Sequence, residues 1–374
     1  MSPLQVGIST SVLEPAHNGG RLDGIGVYTA ALRQGLSQLG VTVHDYSFPP
    51  FASSAPMVKG KSLTRSFPVQ MLAASLGQHA PIAERLDVFH STDYKAVRMP
   101  CPLVATLHDA VPLKHPEWTA GRFRALKSFV LRRSASYADH VIALSHAAIP
   151  DLVEHFGIDE RRISVVPCGV DRHWFHSPAP DDVEQELASR GLRRGYFLYV
   201  GTLQPRKNVV GILNAYEALP QAIRRERQLV IVGRAGWHCE EEVSRLDAAQ
   251  GSGAGLVWFD NVKDFTSLRR IYAGAGVFVF PSLYEGYGIP ILEAFASGLP
   301  VVTSNVSSLP EVAGGAALTV DPNDPVAIAD AMQRFAESDS LCARFAELGW
   351  ARAKALSWHN TARLTADVYR QVAR

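Results

Sequence analysis

Short apolar runs alternate along this chain with stretches whose apolar positions recur every three or four residues. In the first half the runs are Leu4 to Ser9, Val41 to Tyr46, Val88 to His90, Leu103 to Leu107, His140 to Ala143 and Ile163 to Val166. In the second half they are Tyr196 to Val200, Leu229 to Gly233, Leu256 to Phe259 and Gly276 to Phe280. Runs of this length read as buried strands, and their alternation with helical periodicity predicts a mostly parallel α/β sheet. The first helix shows the pattern: Tyr28, Leu32, Leu36 and Leu39 share one face and Gly40 stops it. Residues 47–80 break the alternation, being rich in Pro, Ser and Ala, and read as an irregular insertion, either throughout or ending in a helix. At 374 residues the chain is long for one core, so two domains are expected. The predicted division is residues 1–174, a linker over 175–195 marked by Pro178 and Pro180, residues 196–356, and a last helix over 357–374.

The most informative stretch follows the Gly276 to Phe280 run. It reads Pro281-Ser-Leu-Tyr-Glu285-Gly286-Tyr287-Gly288-Ile289-Pro290-Ile-Leu-Glu293. Pro290 suits a first helical position and Gly298 a stop, so the stretch is strand, glycine-rich turn, helix. Gly286 and Gly288 let backbone approach a ligand, and the helix start offers N–H groups to an anion. Glu285 and Glu293, with seven residues between them, bracket the turn and suit the hydroxyls of a sugar. A glycine-rich turn before a helix is also common as plain loop geometry; the paired glutamates make this one more particular.

Two further strand ends carry candidate chemistry. Tyr196 to Val200 runs into Gly201-Thr202-Leu-Gln204-Pro-Arg206-Lys207-Asn208. Glycine for close approach and two adjacent cations suit a pyrophosphate. The alternative is a solvated Arg-Lys pair, but cations at a helix start oppose its dipole and call for an anion. His108 and Asp109 follow the Leu103 to Leu107 run, where open α/β sheets bind ligands; capping of the next loop is the competing reading. The loop after the first strand holds Gly19, Gly20, Gly24 and Gly26, with a spacing unlike a dinucleotide fingerprint.

These motifs together resemble the retaining glycosyltransferases of family 4, in its mannosyltransferase-like branch. The resemblance is carried by the two glutamates, by Gly-Thr-Leu-Gln-Pro-Arg-Lys-Asn, by His-Asp-Ala-Val-Pro and by Gly-Arg-Ala-Gly-Trp, and spans nearly the whole chain. It implies the GT-B architecture, two Rossmann-like domains facing across a cleft, with a C-terminal helix crossing back to the first. It implies that Arg206 and Lys207 contact the donor phosphates, His108 and Glu285 the sugar, and Glu293 the ribose. The backbone near Val262 to Leu268 would meet the base. Gly24 and Gly26 would lie in a flexible loop near phosphates and acceptor. Gly201, Thr202, Gly286, Tyr287, Gly288 and Ile289 would complete the nucleotide-sugar site. The family often has Glu where this chain has Gln204. An epimerase or hydrolase sharing the fold is the rival enzyme, and a non-catalytic sugar-binding protein the other alternative.

Composition narrows the picture. A net charge of +1 gives no reason to expect a nucleic-acid partner. Cys101, Cys168, Cys239 and Cys342 form no paired spacing, which fits a reducing compartment. No basic-then-apolar leader and no run of eighteen apolar residues occurs, so a cytoplasmic protein is expected. No Asp-x-Asp occurs either, so no metal or other cofactor is expected and the cations would serve the diphosphate. The branch suggests GDP-mannose as donor, with GDP-rhamnose or UDP-glucose as alternatives, and a glycan or lipid-linked acceptor in surface polysaccharide assembly, O antigen for example. The helical stretch Gly121 to Tyr137 sets Arg122, Arg124, Lys127, Arg132 and Arg133 against Phe123, Leu126, Phe129 and Val130. It is either a core helix with a solvated basic face or a peripheral membrane contact aided by Lys59 and Lys61.

Overall fold

The computed structural model describes residues 3–14, 22–49, 61–119, 124–249, 255–260, 262 and 264–373. Gly19, Gly20, Lys59, Gly121, Arg122 and Phe123, singled out above, lie outside them. The chain forms two compact units. One comprises Met1–Pro116, Gly121–Gly169 and Trp358–Arg374; the other comprises Val170–Ser357 with Glu117–Ala120.

The first unit is built on seven strands: β1 (Gln5–Ser9), β2 (Thr42–Ser47), β3 (Lys61–Ser62), β4 (Val88–Ser91), β5 (Leu103–Thr106), β6 (His140–Ala143) and β7 (Ile163–Val165). They pair in the order β3-β2-β1-β4-β5-β6-β7, all parallel. The pleat divides the strand residues between two faces. Phe89, Leu103, Ala105 and Val141 join a core with Met71, Ala135, Leu152 and Phe156, which places helices Phe67–Ser75, Arg124–Ala135 and Ile149–Phe156 on one face. His90 and Thr106 point the other way. There Thr106 meets Tyr28 of helix Gly24–Gln38, and His90 Nδ1 lies 2.6 Å from Tyr369 Oη of helix Trp358–Val372. Those two helices cross closely, because a Cβ on Gly35 would lie 2.7 Å from the Ala362 methyl. The last helix therefore belongs to the first unit although its sequence follows the second.

The second unit carries β8 (Tyr196–Val200), β9 (Leu229–Val232), β10 (Leu256–Phe259), β11 (Ala275–Phe280), β12 (Val301–Ser304) and β13 (Leu318–Val320), parallel in the order β10-β9-β8-β11-β12-β13. Helix Val209–Ala218 packs on Pro325–Ala336, and Ile289–Ala296 on Asp339–Ala355. The stretch expected to be a linker, 175–195, is in large part structured. It holds helix Pro180–Ser189, which buries Val183 and Leu187 and packs on helix Phe265–Gly274. Pro180 starts that helix rather than breaking the chain.

In both sheets the strand order reverses once, between β1 and β4 and between β8 and β11. Open α/β sheets bind ligands at the carboxyl ends of strands beside such a reversal. The stretches Gly201 to Lys207 and Pro281 to Gly288 leave the two strands that flank the reversal in the second unit.

Candidate active site

Residues 201–207 and 281–288 meet at this point of the second sheet, where Lys207 and Glu285 pair across 78 positions of sequence. Glu285 is buried and its carboxylate accepts hydrogen bonds from two cations. Arg206 Nη1 donates to Oε2 at 2.8 Å and Lys207 Nζ to Oε1 at 2.5 Å. Arg206 Nη1 also donates to the Tyr284 carbonyl at 3.1 Å, and Leu283 N–H to the Arg206 carbonyl at 2.8 Å. Burial alone would raise the Glu285 pKa. The Arg206 and Lys207 charges outweigh it and hold the carboxyl at about 2. Lys207 Nζ also lies 5.1 Å from the Phe280 ring centroid.

The two cations do not open the following α-helix, as the sequence suggested. They sit on a 3-10 turn, Pro205–Lys207, and Asn208 separates them from helix Val209–Ala218. Asn208 takes a left-handed conformation, φ 58°, and its Nδ2 donates to the Pro281 and Pro322 carbonyls. The anion that the sequence argument called for is therefore present in the protein itself, as Glu285.

Close approach of backbones explains the glycines beside the clasp. A Cβ on Gly233 would fall 1.8 Å from the Gly201 carbonyl oxygen, so β8 and β9 end in direct backbone contact. Gly288 has φ 120° and caps helix Ile289–Ala296, with Pro290 in its first turn. The turn is pinned from the strand β12 side by two serines that the sequence reading did not single out. Ser307 Oγ donates to the Glu285 carbonyl at 2.6 Å, and Ser308 Oγ to the Glu285 and Tyr287 carbonyls at 2.9 and 2.7 Å. Nothing in their local sequence marks them; only the fold brings residues 22 positions apart together.

Glu293 lies one turn into the helix, half-buried, and accepts a hydrogen bond from Tyr272 Oη at 3.3 Å. Here burial wins, and the carboxyl is raised to about 7 against the opposing effect of the Tyr272 bond. Tyr272 was also missed in the sequence. Around Val262 to Leu268, many amides are committed. Thr266 and Ser267 N–H donate to the Asp264 carboxylate at 2.8 and 2.9 Å, and Leu268 N–H to the Asp264 carbonyl at 3.1 Å. Leu268 thus has no spare N–H, while Val262 precedes the helix.

The remaining candidates belong to the first unit. His108, after β5, is buried, and its Nε2 lies 2.8 Å from the Thr92 carbonyl. A carbonyl only accepts, so Nε2 carries the proton and Nδ1 keeps its lone pair. Burial lowers the imidazole pKa, against that hydrogen bond, and keeps the ring neutral. Tyr28 meets His108 edge-on, with ring centroids 5.1 Å apart. Asp109 hydrogen-bonds the start of the next loop: Oδ1 accepts from Val111 N–H and Tyr94 Oη. Gly24 opens helix Gly24–Gln38, and the Gly26 N–H is bonded to the Asp23 carboxylate at 2.9 Å.

Two doubly wound parallel sheets of this topology match the GT-B class of folds. Solved structures of that class overlay nearly the whole chain. Sucrose-phosphate synthase from Thermosynechococcus elongatus matches with a TM-score of 0.75 at 20% identity, covering 98% of both chains. WaaG, a glycosyltransferase involved in lipopolysaccharide biosynthesis, matches with a TM-score of 0.70 at 17% identity, covering 97% of this chain and 99% of that one. The sequence is more specific. Residues 184–350 match the family of glycosyl transferases group 1, and residues 22–174 match Glycosyltransferase Family 4. The chain is 35% identical over 272 residues to the O-antigen chain mannosyltransferase B of Escherichia coli, across 71% of this chain and 70% of that protein. It is 27% identical to the serotype-specific mannosyltransferase WbdA of Escherichia coli, of which it spans about a third, 35%. The chain belongs to the group 1 glycosyltransferases, with a family 4 amino-terminal half, and is a transferase enzyme.

Proposed function

We propose that the protein transfers a hexosyl group from a nucleoside diphosphate sugar to a glycan or lipid-linked saccharide, with retained anomeric configuration and no metal ion. Mannose from GDP-mannose is the first choice, with GDP-rhamnose or UDP-glucose as alternatives. The names of the relatives support a mannosyl donor and a place in O-antigen assembly, which the reading sets in the cytoplasm at the inner face of the membrane. No helix of the described residues is long and apolar enough to cross a membrane, so the contact proposed there is peripheral.

The observation that carries the reading is the Arg206–Glu285–Lys207 cluster at the reversal of the second sheet. As the bond from the sugar carbon to the diphosphate breaks, negative charge grows on the leaving oxygen. Arg206 and Lys207 supply fixed positive charge to stabilise it. Lysine has three donors and arginine five, so both can serve a phosphate while keeping Glu285. The Glu285 carboxylate, positioned by them, accepts bonds from sugar hydroxyls. The ribose hydroxyls donate to Glu293, and such donation favours its ionised form. His108, held by Thr92, offers Nδ1 as an acceptor to a sugar hydroxyl near the reacting carbon. The acceptor oxygen attacks from the face the diphosphate leaves. Its proton passes to the departing phosphate oxygen, so no protein side chain need act as base.

The test is a screen of nucleoside diphosphate sugars for acceptor-dependent release of the diphosphate, with the product's anomeric configuration read by NMR. Release of GDP from GDP-mannose with an α-linked product is expected, unchanged by EDTA. Inversion, or loss of activity on chelation with recovery on adding Mg²⁺ or Mn²⁺, would overturn the mechanism. Release that ignores the acceptor would mark a hydrolase.

A further inference from the structure

The sequence set Leu126 and Phe129 on the apolar side of a basic helix, with a core face and a membrane contact both left open. The structure turns them outward: Leu126 is 61% exposed and Phe129 66%. Helix Arg124–Ala135 buries Ser134 and Ala135 instead, while Val130 and Leu131 lean on the core. Helix Phe67–Ser75, on the same face of the first sheet, does likewise. Its Met71, Ala73 and Ala74 are buried, while Val69 is 51%, Leu72 66% and the following Leu76 73% exposed. Residues 69, 72 and 76 form one stripe at helical spacing. Among the described residues, five of the seven large apolar side chains more than half exposed lie on these two segments. The segments approach each other at Ser75 and Tyr137, whose hydroxyls are 3.4 Å apart.

Charge accompanies the apolar side chains. Neither helix contains Asp or Glu. The Arg124–Ala135 helix carries Arg124, Lys127, Arg132 and Arg133, all exposed. Arg132 and Arg133 stand three and four residues from Phe129, on its side of the helix. Helix Phe67–Ser75, apolar on its exposed side as well as its buried one, is matched to a hydrophobic surrounding rather than to water, and the cations of the neighbouring helix match an anionic one.

We propose that this face is a membrane-inserting surface. Val69, Leu72, Leu76, Leu126 and Phe129 enter the headgroup region of an anionic leaflet, and the four cations hold the lipid phosphates. This deepens the reading of a lipid-borne acceptor and rests on it for its purpose. It differs from a purely electrostatic attachment, because the apolar side chains contribute contact that salt does not screen.

The experiment is co-sedimentation of the full chain with vesicles of phosphatidylcholine, with and without phosphatidylglycerol, at low and high salt. The wild type is expected to bind anionic vesicles and to retain part of that binding at high salt. The pair Leu72→Gln with Leu76→Gln, and separately Phe129→Gln, should each lower partitioning about tenfold or more and remove the salt-resistant part. Replacing the four cations with Gln should remove the preference for phosphatidylglycerol. All substituted side chains are exposed, so thermal melting and donor hydrolysis by water should match the wild type. Apolar variants that bind like the wild type, or a wild type that ignores both vesicles, would overturn the proposal. So would self-association abolished by Leu72→Gln with Leu76→Gln in a protein without vesicle affinity. Vesicle binding as expected, with transfer only to soluble acceptors, would leave the surface standing and refute the lipid-borne acceptor.

Discussion

Replacing Glu285 with glutamine keeps the shape of the clasp and removes its charge. The carboxylate is only 7% exposed and touches both Arg206 and Lys207, themselves 18% and 12% exposed, so solvent screens the pair little. Its pKa falls from 4.5 to about 2 on folding, which at ~1.4 kcal/mol per unit is worth about 3 kcal/mol. Deleting one partner of a buried ion pair costs roughly 3–5 kcal/mol, so the two routes agree. For a unit of this size about 3 kcal/mol corresponds to a fall of roughly 6–12 °C in the melting temperature. The sign with pH is fixed. A carboxylate with a depressed pKa stabilises the fold above its unfolded value, and that stability is lost as pH falls from 4.5 toward 2. The difference between wild type and Glu285→Gln is therefore expected in full at pH 7 and should shrink on acidification through that window. Nucleotide provides the second arm. In the variant the two cations have lost their internal anion, so GDP should bind at least as tightly as to the wild type. At a hundredfold its Kd it should return about 2.7 kcal/mol. Sugar transfer should still fall, because the carboxylate proposed to position the sugar is gone. The assay is differential scanning fluorimetry across pH with and without GDP, together with calorimetric GDP affinity. A variant that melts with the wild type at pH 7, or a folded variant whose GDP affinity drops tenfold, would refute the reasoning.

Lys207→Ala should lower turnover by roughly 10²–10³ while the protein stays folded, by comparison with removal of a single oxyanion donor; near-normal turnover would take Lys207 out of the site. Glu293, whose pKa is raised to about 7, binds more protons folded than unfolded, so the wild type should lose stability as pH rises from 4.5 through 7. Glu293→Gln should abolish that loss and, in the same titration, weaken nucleotide binding most above pH 7, where the wild-type carboxylate is ionised; a variant with the wild-type pH dependence would contradict the assignment. Gly233→Ala forces a Cβ to within 1.8 Å of the Gly201 carbonyl and should displace the strand ends, with lower melting temperature and lost nucleotide binding together; wild-type behaviour in both would show that the two backbones separate freely.

The strands were legible because parallel strands buried on both faces are apolar at consecutive positions, which leaves a period no helix shares. The run Leu256 to Phe259 coincides with β10, and Gly276 to Phe280 misses β11 by one residue. Helix Pro180–Ser189 was hidden by its composition. Pro178, Pro180 and four acidic residues resemble a linker, and only packing of Val183 and Leu187 on a helix 80 positions away reveals a structural element. For helix Arg124–Ala135 the sequence left two readings open. Periodicity shows that apolar residues share a side, but not which side faces the core, and here the small residues Ser134 and Ala135 are the ones buried.

The two glutamates show where a motif stops. Glu285 and Glu293 were read from the sequence as a pair, alike in type and eight positions apart. The fold separates them chemically. Arg206 and Lys207 arrive from the end of β8 and keep Glu285 ionised at any physiological pH. Glu293 accepts a hydrogen bond from the hydroxyl of Tyr272, and burial outweighs that bond and raises its carboxyl to about 7. Environments that push two carboxyls apart commonly assign them different tasks. A permanently charged carboxylate suits a sugar whose hydroxyls must be held while charge moves to the leaving diphosphate. A carboxyl poised near pH 7 suits a ribose diol whose arrival and departure can be coupled to a proton. The partners that create this difference lie 79 and 21 positions from their glutamates, and no spacing rule within the motif contains them.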